Sequence, residues 1–380
     1  MRVFQLVNRG CYFSTLIFSL FSCFIERPEE EFFYSKLTKL DSLEVILPLD
    51  YLQVTSWTTY SFKGKELLVE YGLNRDGNLV IHQIDFENKT YLDPIQIDRE
   101  GPNGFNSSDI SIFFKSKDSI YVFPTGKDSF FLYDSQATKK NEYEYNSMNN
   151  SNFYKNGWYS SLGFLERLLV LPTVDHTRYD DADFFGKVYP IQLYHLESSS
   201  FVDQIEFPEF VRGKYLPSNF SGAMIDQVDN DRVLINYNFS DSIYIYNFKE
   251  NLMDNYYCGS DNFGSPRLLD FLPDRTQSLE YNTKEVNYET SFHHRGKVYR
   301  VVSHLKHKQY REYSPFEIIQ NNLRVVSLVE LDLVTSKLKY YKMPIAKYFL
   351  FQKNQLFVGG VSAREENGDI YRKFYKYALE

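Results

Sequence analysis

The chain holds little of what most enzyme families are identified by. No Gly-x-Ser-x-Gly elbow, His-Glu-x-x-His pair or phosphate-cradling Gly-rich loop occurs in its 380 residues, so serine-hydrolase, zinc-peptidase and P-loop readings have no motif to rest on. Cysteine is scarce, at three residues. Positive charge is in deficit: 42 Lys and Arg against 50 Asp and Glu leave a net charge of −8. Such a field repels polyanions, and nucleic acid is therefore not an expected partner. Helical spacing is confined to short stretches such as Pro266–Phe271 and Pro315–Gln320, each opening on a Pro that suits a first helical turn.

Aromatic residues, by contrast, are abundant, with 32 Tyr and 33 Phe. Such rings suit half-buried pleated surfaces and wedge-shaped gaps between sheets. They recur in a pattern. Six times an apolar run meets a short polar gap and then a second run: Glu66–Tyr71 with Leu79–Phe86, Ser119–Phe123 with Phe130–Asp134, Leu168–Leu171 with Val188–Leu196, Arg232–Asn236 with Ser242–Phe248, Val298–Val302 with Leu323–Leu333, and Gln355–Val358 with Ile370–Leu379. Each pair reads as the middle strands of one propeller blade, with β-prone runs upstream and downstream as inner and outer strands. The fold class expected is all-β, a six-bladed β-propeller; a pair of β-sandwiches or a solenoid would use similar strands. The sixth copy lacks its outer strand. Residues 43–50, whose text resembles the outer strand Tyr91–Ile97, are expected to complete it, since an unpaired edge invites aggregation.

The first residues carry Arg2 and Arg9 and then an apolar stretch, Tyr12–Ser22, too short to span a bilayer as a helix. This reads as an export signal. Its end, Leu20-Phe21-Ser22-Cys23, resembles the lipobox of bacterial lipoproteins, although Phe21 is bulkier than that position usually holds. The resemblance implies a signal peptide over 1–22, lipidation at Cys23, a tether over 23–41 and a propeller over 42–380, attached to the outer membrane of a bacterial cell envelope. Removing residues 1–22 would take away Cys11 and both arginines, leaving Cys258 as the remaining thiol and a net charge of −10.

In a propeller the links from strand one to two and from three to four lie on one face, and all others lie on the opposite face. Links of the first kind are brief here. The long insertions, Arg99–Ser108, Pro172–Lys187, Gly259–Asn287 and Ser303–Asn322, fall on the second face, which is expected to carry recognition. Arg99-Glu-Gly-Pro-Asn-Gly-Phe105 is similar to the Gly-x-Gly-Pro-Gly-Glu-Phe link of six-bladed propeller lipoproteins of Bacteroidota, relatives of the NHL and TolB-like propellers. The resemblance implies a fold and an envelope location, with no assigned reaction. Arg99 and Asn103 become ligand-binding candidates; Gly101 and Gly104 also suit positive φ in a tight turn.

Asp175–Asp183 gathers His176 and four carboxylates in one loop. Oxygen-rich clusters can hold Ca²⁺, but the spacing is not that of an EF-hand, and no cofactor is expected. Tyr179, Phe184 and Phe185 in the same insertion are candidates for a stacking platform, with Trp158 and Tyr159; Trp57, on an inner strand, reads as packing between blades. His304 and His307, with His293, His294 and neighbouring Lys306, Lys308, Arg295 and Arg300, suggest a basic patch for an anion. Asp226 and Asp229 could line the axial channel. The function expected is binding of a peptide, protein or glycan on the long-loop face, and the alternative is a metal-dependent hydrolase or lyase acting in the channel. Changing Cys23 to Ala should release the protein from membranes or leave its precursor unprocessed; membrane retention unchanged in fractionation would contradict lipidation.

Overall fold

The computed structural model describes residues 34–380 apart from 48–55, 63–64, 126, 145–151, 154–161, 166, 175–180, 182, 221, 347, 353–354 and 367–368. Cys23 and the signal and lipobox residues lie outside the described residues. Six antiparallel sheets form a six-bladed β-propeller. From inner to outer strand, blade one is Ser56–Phe62, Lys65–Leu73, Leu79–Asp85 and Thr90–Ile97. Blade two is Ile110–Ser116, Ser119–Pro124, Ser129–Tyr133 and Lys139–Glu144. In blade three, Gly163–Leu165 and Asn152–Phe153 both pair with Leu168–Val174, which is followed by Ile191–His195 and Ser200–Ile205. Blade four is Ala223–Gln227, Arg232–Tyr237, Ser242–Asn247 and Leu252–Tyr257, and blade five is Asn287–His294, Lys297–Leu305, Arg324–Asp332 and Leu338–Met343.

The middle strands are rich in apolar residues because both their faces are covered by neighbouring blades: every residue of Leu79–Asp85 is buried, His82, Gln83 and Asp85 included. Outer strands meet solvent and carry more exposed positions, as Thr90–Ile97 shows. The core is accordingly divided into clusters wedged between blades. Val233, Ile235 and Tyr237 of blade four meet Val170, Ile191 and Leu193 of blade three in one of them.

Blade six, Tyr348–Gln352, Gln355–Glu366 and Asp369–Leu379, takes its outer strand from the beginning of the chain, Leu37–Leu47. The ladder runs from Leu37 opposite Leu379 to Leu47 opposite Ile370, with a register shift between Lys39 and Asp41. The closing strand therefore starts earlier than the expected 43–50, and Leu37–Asp41, expected in the tether, pair in the sheet; residues 48–50 lie outside the described residues. Packing seals the same seam. Phe86 of blade one stacks on Phe357 of blade six at 5.0 Å and meets Phe374 edge-on at 4.8 Å. Trp57 is buried beside Tyr348, ring centroids 5.4 Å apart, as its inner-strand position implied. Beneath them the buried Glu70 carboxylate of blade one pairs with the Arg372 guanidinium of blade six, whose Nη1 also donates to Tyr348 Oη at 3.0 Å.

Among the described residues three α-helices occupy long links: α1 (Phe184–Lys187), α2 (Arg275–Lys284) and α3 (Pro315–Gln320). Pro315 opens α3 as the sequence suggests, and Ser314 and Glu317 cap it reciprocally. Pro266–Phe271 is not helical; Leu269 forms an isolated bridge with Tyr215, and the helix starts downstream, where Asp274 and Gln277 build a capping box. Among the described residues no helix is long and apolar enough to cross a membrane.

Arg372→Ala would strand the Glu70 carboxylate in the blade seam, which is expected to cost about 3–5 kcal/mol, whereas Glu70→Gln with Arg372→Met should recover much of that loss. Urea unfolding of the three proteins checks both statements.

Candidate functional site

Each inner strand runs toward the short-turn face, so the last residues of six inner strands converge there around the axis. They enclose a cavity of about 990 Å³. Its wall includes Tyr60 from blade one, Phe113 and Phe114 from blade two, Phe164 from blade three, Phe292 from blade five and Phe349 and Phe351 from blade six. Blade four breaks this aromatic series with Asp226 and Gln227. Phe113 and Phe164 lie nearly parallel, centroids 6.2 Å apart and planes 15° from parallel, and His294 stacks on Phe351 at 5.2 Å. Phe113, Phe164 and Phe351 are only partly buried, so ring surface faces the cavity. Charged residues at or beside the turns, Glu87, Lys115, Asp231, Lys249 and Arg295, also line it. Lys115 Nζ sits 3.7 Å above the Phe164 ring, and Lys249 pairs with Asp231 at 2.7 Å.

Hydrogen bonds between blades hold this wall in register. Gln227 Oε1 accepts from the Phe164 N–H at 2.6 Å while its Nε2 donates to the Phe164 carbonyl at 3.0 Å, tying blade four to blade three. Asp226 Oδ2 accepts the His293 N–H at 2.7 Å, tying blade four to blade five. Enclosure by the protein pushes the Asp226 carboxyl up to about 7; the N–H bonds from His293 and Gln227 oppose this, and nearby Glu66 adds repulsion. Burial lowers His293, with Arg232 and His294 acting in the same direction. The pocket thus offers aromatic faces, amide groups, a carboxyl that exchanges its proton near neutrality and a rim of both charges. That combination suits a ligand with apolar faces and polar edges.

The candidates from the sequence are placed differently. Asp226 lines the cavity as expected, but Asp229 is engaged in the next turn with the Arg232 guanidinium at 2.6 Å. Phe184 and Phe185, only 2% and 3% exposed, pack in the core against Phe207 rather than on a platform, because α1 turns both rings inward. His304 is also buried, at 5% exposure. Its Nδ1 donates to the Leu305 carbonyl, Nε2 meets Ser327 Oγ at 2.8 Å, and burial depresses its pKa to about 4. His307 precedes a 3₁₀ turn, edge-on to Tyr310.

The proposed four-histidine basic patch is not assembled. His293 and His294 both line the axial cavity, His304 is sealed in the core, and Arg300 is fully buried. Arg300 donates to Asn236 Oδ1 and to the carbonyls of Cys258, Tyr237 and Ser240. Arg99 packs over Gly77, and its N–H donates to Asn78 Oδ1. Asn103 accepts from Tyr133 Oη and from the Lys139 N–H, joining its link to blade two. Gly101 has φ of 92°, as a tight turn requires, whereas Gly104 is needed for close approach: a Cβ there would lie 2.6 Å from the Arg99 carbonyl oxygen. Asp175, His176, Tyr179, Trp158 and Tyr159 lie outside the described residues. Among the described residues no three His, Cys, Asp or Glu side chains come together as a metal site.

A ring of six antiparallel blades, the last closed by an N-terminal outer strand, is a six-bladed β-propeller. The family model described as "Domain of unknown function (DUF4221)" matches residues 30–168. The crystal structure of a DUF4221 member from Bacteroides vulgatus is similar with a TM-score of 0.70 and 15% identity, covering 91% of this chain and 99% of that one. Both similarities are in line with the resemblance of the Arg99–Phe105 link to uncharacterised six-bladed propellers of Bacteroidota. A streptogramin B lyase has a TM-score of 0.41 and 8% identity over 90% of this chain and 98% of that one. A luciferin-regenerating enzyme has 0.44 and 10% over 89% and 95%. No curated protein matches in sequence.

The raised Asp226 carboxyl has a signature in stability. The folded state holds its proton more tightly than the unfolded chain does, so stability falls as pH rises from the ordinary carboxyl range through about 7. Asp226→Asn cannot titrate. The melting temperature of the wild type relative to this variant should decline between about pH 4 and about pH 8, and parallel curves would contradict the assignment.

Proposed function

We propose that this protein is a binding propeller that holds a glycan in the axial cavity of its short-turn face. The observation that carries this reading is the cavity wall itself: aromatic side chains contributed by five blades surround one enclosed carboxyl that is not ion-paired with a basic side chain. A pyranose presents an apolar C–H face and a hydroxyl edge. The first suits the partly bared rings of Phe113, Phe164 and Phe351, and the second suits Asp226, Asn230 and Arg295 around them. The long-loop face, by contrast, spends much of its insertion length on structure. Phe184 and Phe185 fill the core, and Arg324 donates to the carbonyls of Thr283, Glu285 and Ser303. The resemblance of Leu20–Cys23 to a lipobox supports attachment to an envelope membrane, which would keep the cavity at a surface where glycans are met.

Full-length protein in detergent, probed on an array of bacterial and host glycans, should retain a defined subset. Phe164→Ala and Phe351→Ala should each weaken that binding by roughly tenfold, measured by titration calorimetry, with the circular dichroism spectrum unchanged. Absence of any glycan binder for the wild type would defeat the reading.

A further inference from the structure

A second cavity, of about 270 Å³, lies in the seam where blade six meets blade one. The closing-strand residues Asp41, Ser42 and Leu43 line it, together with the stacked pair Phe86 and Phe357. Lys89, Gln355 and Lys376 add polar groups. Alone it falls just below the ~300–1,000 Å³ usual for a ligand pocket. It is not isolated, however: Glu87 and Gln352 line both this cavity and the axial one.

Gln352 supplies an independent observation. The residue is only 7% exposed, yet its Nε2 makes no hydrogen bond within the protein. Buried amide donors are nearly always satisfied, and one left open at the junction of two cavities is placed to be satisfied by whatever passes between them. Gln352 ends the inner strand of blade six, so its backbone is fixed by pairing with Gln355. The main chain from which the amide extends is therefore fixed before any ligand arrives.

We propose that the ligand is a chain several units long, which leaves the axial cavity past Gln352 and continues into the seam between blades six and one. This rests on the glycan reading of the axial cavity and adds the length and path of the ligand. One sugar ring would lie against the axial aromatics, the following linkage would accept from Gln352 Nε2, and a further unit would enter the seam cavity beside the Phe86–Phe357 pair with its hydroxyls at Gln355 and Lys376. Because Asp41, Ser42 and Leu43 belong to the closing strand, the same chain would touch both sides of the ring's seam.

Chito-, xylo- and manno-oligosaccharides of one to six units, titrated calorimetrically into the full-length protein, test the path. In whichever series binds, the hexamer should bind at least tenfold more tightly than the dimer. Gln352→Leu, which keeps side-chain bulk but removes the amide, and Gln355→Ala in the seam should each abolish most of that gain. Equal affinity for dimer and hexamer, or a length gain untouched by both variants, would overturn the seam path while cavity binding stands. Failure of every series together with the array would overturn both readings.

Discussion

The ladder between Leu37–Leu47 and Asp369–Leu379 is the constraint on which the rest of the molecule depends. Five blades can be built from consecutive chain, but a ring requires two segments more than 300 residues apart to pair, as Thr38 and Glu380 do in their side-chain hydrogen bond. Closure is what brings six inner-strand ends around one axis. Without it there is no axial cavity, only an open fan of sheets with an unpaired edge.

Buried charge at blade interfaces reinforces the order of the ring. Glu70 and Arg372 meet across the closing seam, and Arg300 crosses from blade five to four acceptors in and just after the strands of blade four. Such groups add little net stability over a well-packed apolar substitute, yet they are costly when mispaired. Arg300 has all its acceptors on the neighbouring blade, and Arg372 pairs with Glu70 of the neighbouring blade while Tyr348 of its own blade also accepts from it. Apolar wedges could slide or exchange partners with modest loss; these guanidinium groups oppose that, and so act on specificity of arrangement. Gln227 and Asp226 do the same on a smaller scale at the axis, where they both form the site and hold its neighbours in place.

The blade pattern was legible because the middle strands are covered on both faces, so they stand out as runs rich in β-branched, aromatic and aliphatic residues between polar turns, as Ser119–Pro124 does. The closing strand could be read from its likeness to other outer strands, though its start at Leu37 could not, since Lys39, Leu40 and Asp41 mix charge with apolar character around a bulge. The site was largely hidden. Its wall takes one to four residues from each inner strand, tens of residues apart in sequence, and a Phe such as Phe113, Phe164 or Phe351 reads alike whether it fills a core or faces a cavity. Aligning the ends of the inner strands would have shown aromatic rings in five copies and Asp226-Gln227 in the remaining one. Local clusters misled for the opposite reason: the histidines of blade five are close in sequence but are distributed by the strand between the axis and the far end of the blade.

The closing pair also dictates when the molecule can become whole. Strand Leu37–Leu47 leaves the ribosome long before Asp369–Leu379 has been made, and throughout that interval it has no native partner. Its apolar positions Leu43 and Val45, buried in the finished ring, must stay solvated or shielded meanwhile. Contacts of such sequence separation form late and slowly. Biogenesis therefore includes an obligatory waiting state with a bare strand at one end, the stage at which a holdase or a fast translation rate would most affect yield.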